Sequence, residues 1–139
     1  MTVIKDEIRI STSGEVDMID ISSKVQNIVK KSGLKEGIVN VFVPGATGSL
    51  ITIEYEPGLK KDFPRILERI APKNEYYFHH ETWHDDNGHS HCRASLLGPS
   101  LTVPFTNGVL TLGTWQQICF VELDTRPRNR RLVVTVIGE

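Results

Sequence analysis

Gly37-Ile38-Val39-Asn40-Val41-Phe42-Val43-Pro44 is the stretch on which the fold turns. Its Ile and Val side chains are branched at Cβ, which stiffens χ1 and favours extended backbone, and Phe42 adds to the preference. Gly37 and Pro44 bracket the run, so it reads as a buried strand. A buried strand needs partners, and the chain supplies them on both sides.

Upstream, apolar residues recur at Ile21, Val25, Ile28 and Val29, the stripe of an amphipathic helix. Asp20 or Ser22 can cap its start, and Gly33 can end it after Lys30 and Lys31. Before it, Ile4, Ile8 and Ile10 partly alternate with Lys5, Glu7 and Arg9, as on an edge strand, and Ser11 to Gly14 reads as a turn. Downstream, Leu50 to Tyr55 is a second strand, broken by Pro57-Gly58. A second helix is expected from an Asp62 cap, with Pro64 in its first turn, Phe63, Ile66, Leu67 and Ile70 on one face, and Ala71-Pro72 as its end. The remainder reads as short strands at 93–97, 101–105, 109–112, 116–123 and 132–137. Asn107-Gly108 fits a two-residue hairpin turn because both tolerate positive φ. Trp115-Gln116 is expected to pack in the core. No repeat or linker interrupts the pattern, which describes one α+β domain spanning 1–139, two helices packed on a mainly antiparallel sheet system.

The 139 residues suffice for one domain with its own core. Sixteen basic and 17 acidic side chains give a net charge of −1, which argues against a nucleic-acid partner. The chain has no apolar run of membrane-spanning length, and its charged start lacks a signal-peptide core. Cys92 and Cys119 are too few for a disulfide framework, so a reducing cytoplasm is the expected compartment.

All five histidines fall between Tyr76 and Arg93. Neutral imidazole is a ligand for zinc, copper, iron and nickel. His89-Ser90-His91 on an extended segment would send both rings to one side, and a turn at Asn87-Gly88 would return His79 to them. That makes His79, His89 and His91 candidate ligands of a divalent metal, zinc by preference, with an open position for water or substrate. The same imidazoles could instead bond a phosphate directly or sit on a wet loop, as His80 and His84 are expected to.

The small-residue loop Gly45-Ala46-Thr47-Gly48-Ser49 would let backbone N–H groups approach an anion, with Thr47 and Ser49 as candidate substrate contacts; a plain hairpin connection is the other reading. Glu54 and Glu122 are acidic groups on expected strands, either solvated or turned inward as candidate catalytic residues. Arg126, Arg128 and Arg130, with Arg131, form a basic knot able to bind phosphate, or else a solvated or subunit-facing turn.

These marks together are similar to the YjbQ family, an uncharacterised family also named secondary thiamine-phosphate synthase enzyme. The resemblance runs nearly end to end. It is carried by Asp20-Ile21-Ser22, Ala46-Thr47-Gly48-Ser49 leading to Glu54, Asp62, Tyr77-Phe78-His79, Asn87-Gly88-His89-Ser90-His91 and Ala94-Ser95-Leu96-Leu97-Gly98. Asn107-Gly108, Leu112-Gly113-Thr114-Trp115-Gln116 and Glu122-Leu123-Asp124 with the following arginines complete it. The resemblance implies a β-sandwich-like core, a homotrimer, and a metal-capable histidine site at His79 and His91. It implies a small phosphorylated substrate, with Asn87 among the contacts. The nominal reaction joins hydroxymethylpyrimidine diphosphate to thiazole phosphate, giving thiamine phosphate and pyrophosphate. A metal-dependent hydrolase or lyase, or a non-catalytic binding trimer, are the other readings. One departure stands out: many members carry His where this chain has Gly45.

Overall fold

In a computed structural model describing residues 1–139, the chain runs β1 (Thr2–Ser11), β2 (Asp17–Asp20), α1 (Ser22–Ser32), β3 (Glu36–Phe42), β4 (Gly48–Ile53) and α2 (Pro57–Ile70). It continues through α3 (His79–Trp83), α4 (Gly88–Leu97), β5 (Ser100–Thr106), β6 (Val109–Leu110), β7 (Gln117–Glu122) and β8 (Asn129–Gly138). All pairings are antiparallel, in a five-stranded sheet of order β1-β8-β3-β5-β6 and a three-stranded sheet of order β2-β7-β4. The expected α+β, mainly antiparallel architecture is the observed one, and β1 is the expected edge strand.

The strand β7 joins the layers. Its Ile118 and Phe120 face the larger sheet, packing with Val39, Val41, Val103, Phe105, Leu132, Val134, Val136 and the Val25 and Val29 stripe of α1. Its alternate residues Cys119 and Val121 face a second core with Met18, Leu67 of α2 and Ala94 of α4. Covered on both faces, β7 is apolar along its middle, and each fully buried Phe or Ile there contributes on the order of 2 kcal/mol. Burial also pushes the Cys119 thiol up to about 12, leaving it an inert core residue.

Local signals explain most boundaries. Asp20 Oδ1 accepts from the backbone N–H and hydroxyl of Ser22 (2.9 and 2.7 Å), and Gly33 closes α1 at φ 75°. Asn107 and Gly108 adopt φ 53° and 74° between paired Thr106 and Val109, the hairpin read from their sequence.

Five expectations are corrected. Helix α2 starts at Pro57, not near Asp62, because Pro suits the first helical position and the Glu56 carboxylate accepts from the N–H groups of Gly58 and Leu59 (2.8 and 2.6 Å). Pro64 therefore lies inside the helix, and half of the expected apolar face, Ile66 and Ile70, is exposed. Residues 93–97 belong to helix α4 instead of a strand; Gly88 to Leu97 contains no β-branched residue, so nothing local favours extension. The loop from Gly45 joins β3 to β4 in different sheets, so it is a crossover, not a hairpin. Trp115, expected in the core, is 72 % exposed.

Candidate active site

The segment holding all five histidines folds as two helices with a tight return between them. His84 and Asp86 take φ 57° and 56°, and Gly88 passes so close to Tyr77 that a Cβ there would lie 2.4 Å from the Tyr77 Cβ. This return sets the first residue of α3 beside the first turn of α4, and the rings of His79 and His91 face each other with centroids 4.4 Å apart. Burial, then the neighbouring His79, hold the His91 imidazole below its ordinary 6.5, so it is neutral at physiological pH. His79 Nε2 lies 3.5 Å from Asp85 Oδ1. The Asn87 amide is read with its nitrogen donating to Asp85 Oδ1 (2.8 Å) and His79 Nε2 (3.2 Å), because the reverse would set its oxygen against acceptors.

The two imidazoles open onto a cavity of about 390 Å³ lined also by Gly45, Ala46, Thr47, Asp124, Arg128 and Arg130, with exposed Trp83 at its rim. The arginines come from the start of β8 and the turn before it; Glu122 ends β7 and Asp124 follows two residues later. Arg128 grips Asp124 Oδ2 through Nε and Nη2 (2.9 and 2.6 Å), and Arg130 grips Glu122 through the same two nitrogens (2.8 and 2.5 Å). Thr47 joins the pairs: its hydroxyl accepts from Arg130 Nη2 (2.9 Å) and donates to Asp124 Oδ2 (3.1 Å). Burial raises the Asp124 carboxyl, but hydrogen bonds from Arg128, the Thr125 N–H and Thr47 outweigh it and hold it at about 2.

Several expected roles change with these positions. His89 is not a partner of His79 and His91. Its ring is 1 % exposed and lies 2.7 Å from Glu15 Oε2, while Glu15 Oε1 meets Lys73 Nζ at 2.6 Å. Burial would raise the Glu15 carboxyl, but the hydrogen bonds and charges of Lys73 and His89 pull it below its ordinary 4.5. Glu122 is fully buried and accepts from Arg130, the Thr12 hydroxyl (2.8 Å) and the Asp124 N–H (3.1 Å), so its oxygens are occupied and it is not placed as an acid or base. Glu54 is exposed just after β4 and does not line the cavity. Ser49 is buried and donates to the Gly98 carbonyl (2.5 Å), away from the cavity. Arg126 is exposed and outside the lining. Thr47, Asn87, Arg128 and Arg130 do line the cavity, together with His79 and His91. His80 pairs with Asp86 (3.1 Å) and His84 is exposed, both outside it.

Asp85 and Asp124 line the cavity without being among the candidate site residues read from sequence. The spacing Glu122-x-Asp124 against Arg128-x-Arg130 across a turn is the signal for the second, since residues two apart on a strand share a face. Within the chain no group of three or more His, Cys, Asp or Glu side chains is placed to hold a metal ion. No helix is long and apolar enough to cross a membrane.

The family model described as UPF0047 protein YjbQ-like matches residues 6–139. A UPF0047 protein of Methanothermobacter thermautotrophicus is 44 % identical over 139 residues, all of this chain and 95 % of that protein. The UPF0047 protein YugU of Bacillus subtilis is 32 % identical over 94 % of this chain and 97 % of its own length. Among solved structures, a YbjQ-like protein of unknown function from Sulfolobus solfataricus superposes with a TM-score of 0.93 at 36 % identity, covering 99 % of both chains. An uncharacterised YjbQ/UPF0047 family protein from Clostridium acetobutylicum superposes at 0.87 and 36 % identity, covering 95 % of this chain and 99 % of that one.

Proposed function

The chain belongs to the YjbQ-like UPF0047 family, and from that membership and the geometry of its cavity we propose that it is an enzyme acting on a small phosphorylated substrate. The observation that carries the reading is the meeting of two imidazoles, His79 and His91, with two guanidinium groups, Arg128 and Arg130, in one open cavity. Arginine suits phosphate oxygens, and a neutral imidazole such as His91 can take a proton at physiological pH. The nominal reaction is thiamine-phosphate synthesis, in which a C–N bond to the thiazole phosphate forms as the C–O bond to the diphosphate breaks. Pyrophosphate leaves with that electron pair, and the arginine end of the cavity would stabilise the charge that builds on it. The reading places the enzyme in the cytoplasm, where Cys92 and Cys119 stay free thiols, and assembles it as a homotrimer.

A divalent cation, zinc by donor type, belongs to a second reading: a metal-dependent hydrolase or lyase, or a non-catalytic metal-binding trimer. The facing His79 and His91 rings favour it. With His89 held by Glu15, however, one chain does not complete a three-ligand set, and the remaining donors would have to come from outside it.

Untagged protein incubated with hydroxymethylpyrimidine diphosphate and thiazole phosphate is expected to form thiamine phosphate, with formation lost in His79→Ala, His91→Ala and Arg130→Lys. Undiminished synthesis in both histidine variants would remove the cavity from the mechanism. No synthesis by the parent protein, together with stoichiometric zinc binding lost in those variants, would favour the second reading.

A further inference from the structure

We infer that Glu122 and Asp124 are positioning residues that aim the Nη1 ends of Arg130 and Arg128 into the His79–His91 cavity, as one Thr47-linked clamp for a phosphate group. The inference rests on the phosphorylated-substrate reading and names the atoms and supports that serve it.

A guanidinium carries five N–H donors in a planar fork. Both arginines are gripped on the same side, through Nε and Nη2, by carboxylates at their backs. That grip leaves each Nη1, with its two N–H groups, without a protein partner. Arg130 Nη1 lies 3.2 Å from where a Gly45 Cβ would stand, and Gly45 lines the cavity, so this end reaches the wall the ligand would touch. The Arg130 side chain is 9 % exposed, which prevents it from swinging away.

The supporting groups are saturated in a way that excludes other roles. The single Thr47 proton goes to Asp124, so Thr47 cannot donate to a ligand; it ties one ion pair to the other. Thr12 does the same from behind, donating to Glu122 (2.8 Å) and accepting from the Arg128 N–H (3.0 Å). Fixed from both sides, the guanidiniums lose little rotamer freedom when a ligand binds. Because each arginine already faces a carboxylate, recognition rests on directed hydrogen bonds more than on net charge, and salt should weaken binding only shallowly. Asp85, the carboxylate of the cavity without an arginine, lies by His79 and disfavours an anion there, which leaves the arginine end for the phosphate. Gly45 is part of the device, since a side chain at φ 132° would be strained and would crowd Nη1.

Inorganic phosphate and pyrophosphate, titrated separately into the full chain, test this by ³¹P and ¹⁵N NMR. The parent protein is expected to bind, with backbone shifts centred on 45–48 and 124–130. Asp124→Asn and Arg130→Lys, verified as folded by circular dichroism, are expected to bind about tenfold more weakly, the loss of roughly one charge-assisted hydrogen bond. Arg65→Ala, on the exposed side of α2, is expected to bind as the parent does. A merely structural carboxylate would lower the melting temperature while leaving the affinity of the folded protein unchanged. That result in Asp124→Asn and Glu122→Gln overturns the positioning role and leaves the phosphorylated-substrate reading standing. Binding by neither anion in the parent, or shifts scattered elsewhere as for an adventitious ion only, overturns both. If Glu122→Gln fails to fold, Asp124→Asn decides the positioning role.

Discussion

His89 and His91 are two residues apart, and on a helix two residues turn through about 200°. One ring therefore enters the cavity while the other enters the interior and meets Glu15. Replacing His89 by Ala leaves the Glu15 carboxylate buried against Lys73 alone. The expected cost is about 2–3 kcal/mol in urea unfolding, with phosphate and zinc affinity unchanged in the folded variant. Unchanged stability with lost zinc binding would return His89 to the ligand set. Asp124 gives a pH signature. Its folded value, about 2, lies below its ordinary 3.8, so as pH falls the unfolded chain takes up the proton first. The stabilisation is complete above about pH 4 and is lost as pH falls through 4 to 2. Asp124→Asn should flatten that part of an acid-unfolding profile measured by circular dichroism, and an identical profile in the variant would refute the assignment.

The element that decides the site is α4, and its placement depends on Gly88. A Cβ at Gly88 would lie 2.4 Å from Tyr77 Cβ, whose backbone is fixed by the Tyr77 hydroxyl on the Pro72 carbonyl (2.6 Å) and by α3 beginning two residues later. Gly88→Ala is expected to cost about 1–3 kcal/mol, as overpacking does, and to weaken phosphate binding by shifting His91 and Asn87. Denaturant melts and the same NMR titration check it; parental stability and affinity together would mean that the return between α3 and α4 yields freely. Neighbouring elements carried clear signals: α1 its stripe and Gly33, the β5–β6 hairpin its Asn107-Gly108. Helix α4 carried a weaker one, the absence of β-branched residues, and the alternation of His89 and His91 concealed it by mimicking a strand.

At the scale of the whole molecule, β7 is the central strand of the smaller antiparallel sheet and is covered on both faces, and the site lies where the end of β7 meets the start of β8. The clamp thus spans the two sheets: Glu122 and Asp124 belong to the smaller sheet's last strand and its continuation, Arg130 to the larger sheet, and Thr47 to the crossover between them. Several large apolar side chains, Phe78, Trp83 and Trp115 among them, stay exposed on one chain. The proposed homotrimer is expected to sediment at three times the chain mass at micromolar concentration, and a monomer under those conditions would remove it. The sequence by itself determined the α+β class, most of the strands, helix α1, the hairpin at Asn107-Gly108, and the clustering of all five histidines between Tyr76 and Arg93, because periodicity, Cβ branching and turn residues act over a few positions. Only the tertiary structure decided which histidines meet, that Glu122 backs an arginine and is no catalytic acid, and that Glu54, Ser49 and Arg126 stand apart from the cavity. Those outcomes depend on packing between segments as far as 110 residues apart, as between Thr12 and Glu122, a distance at which local preferences carry no information and side-chain burial sets the partner.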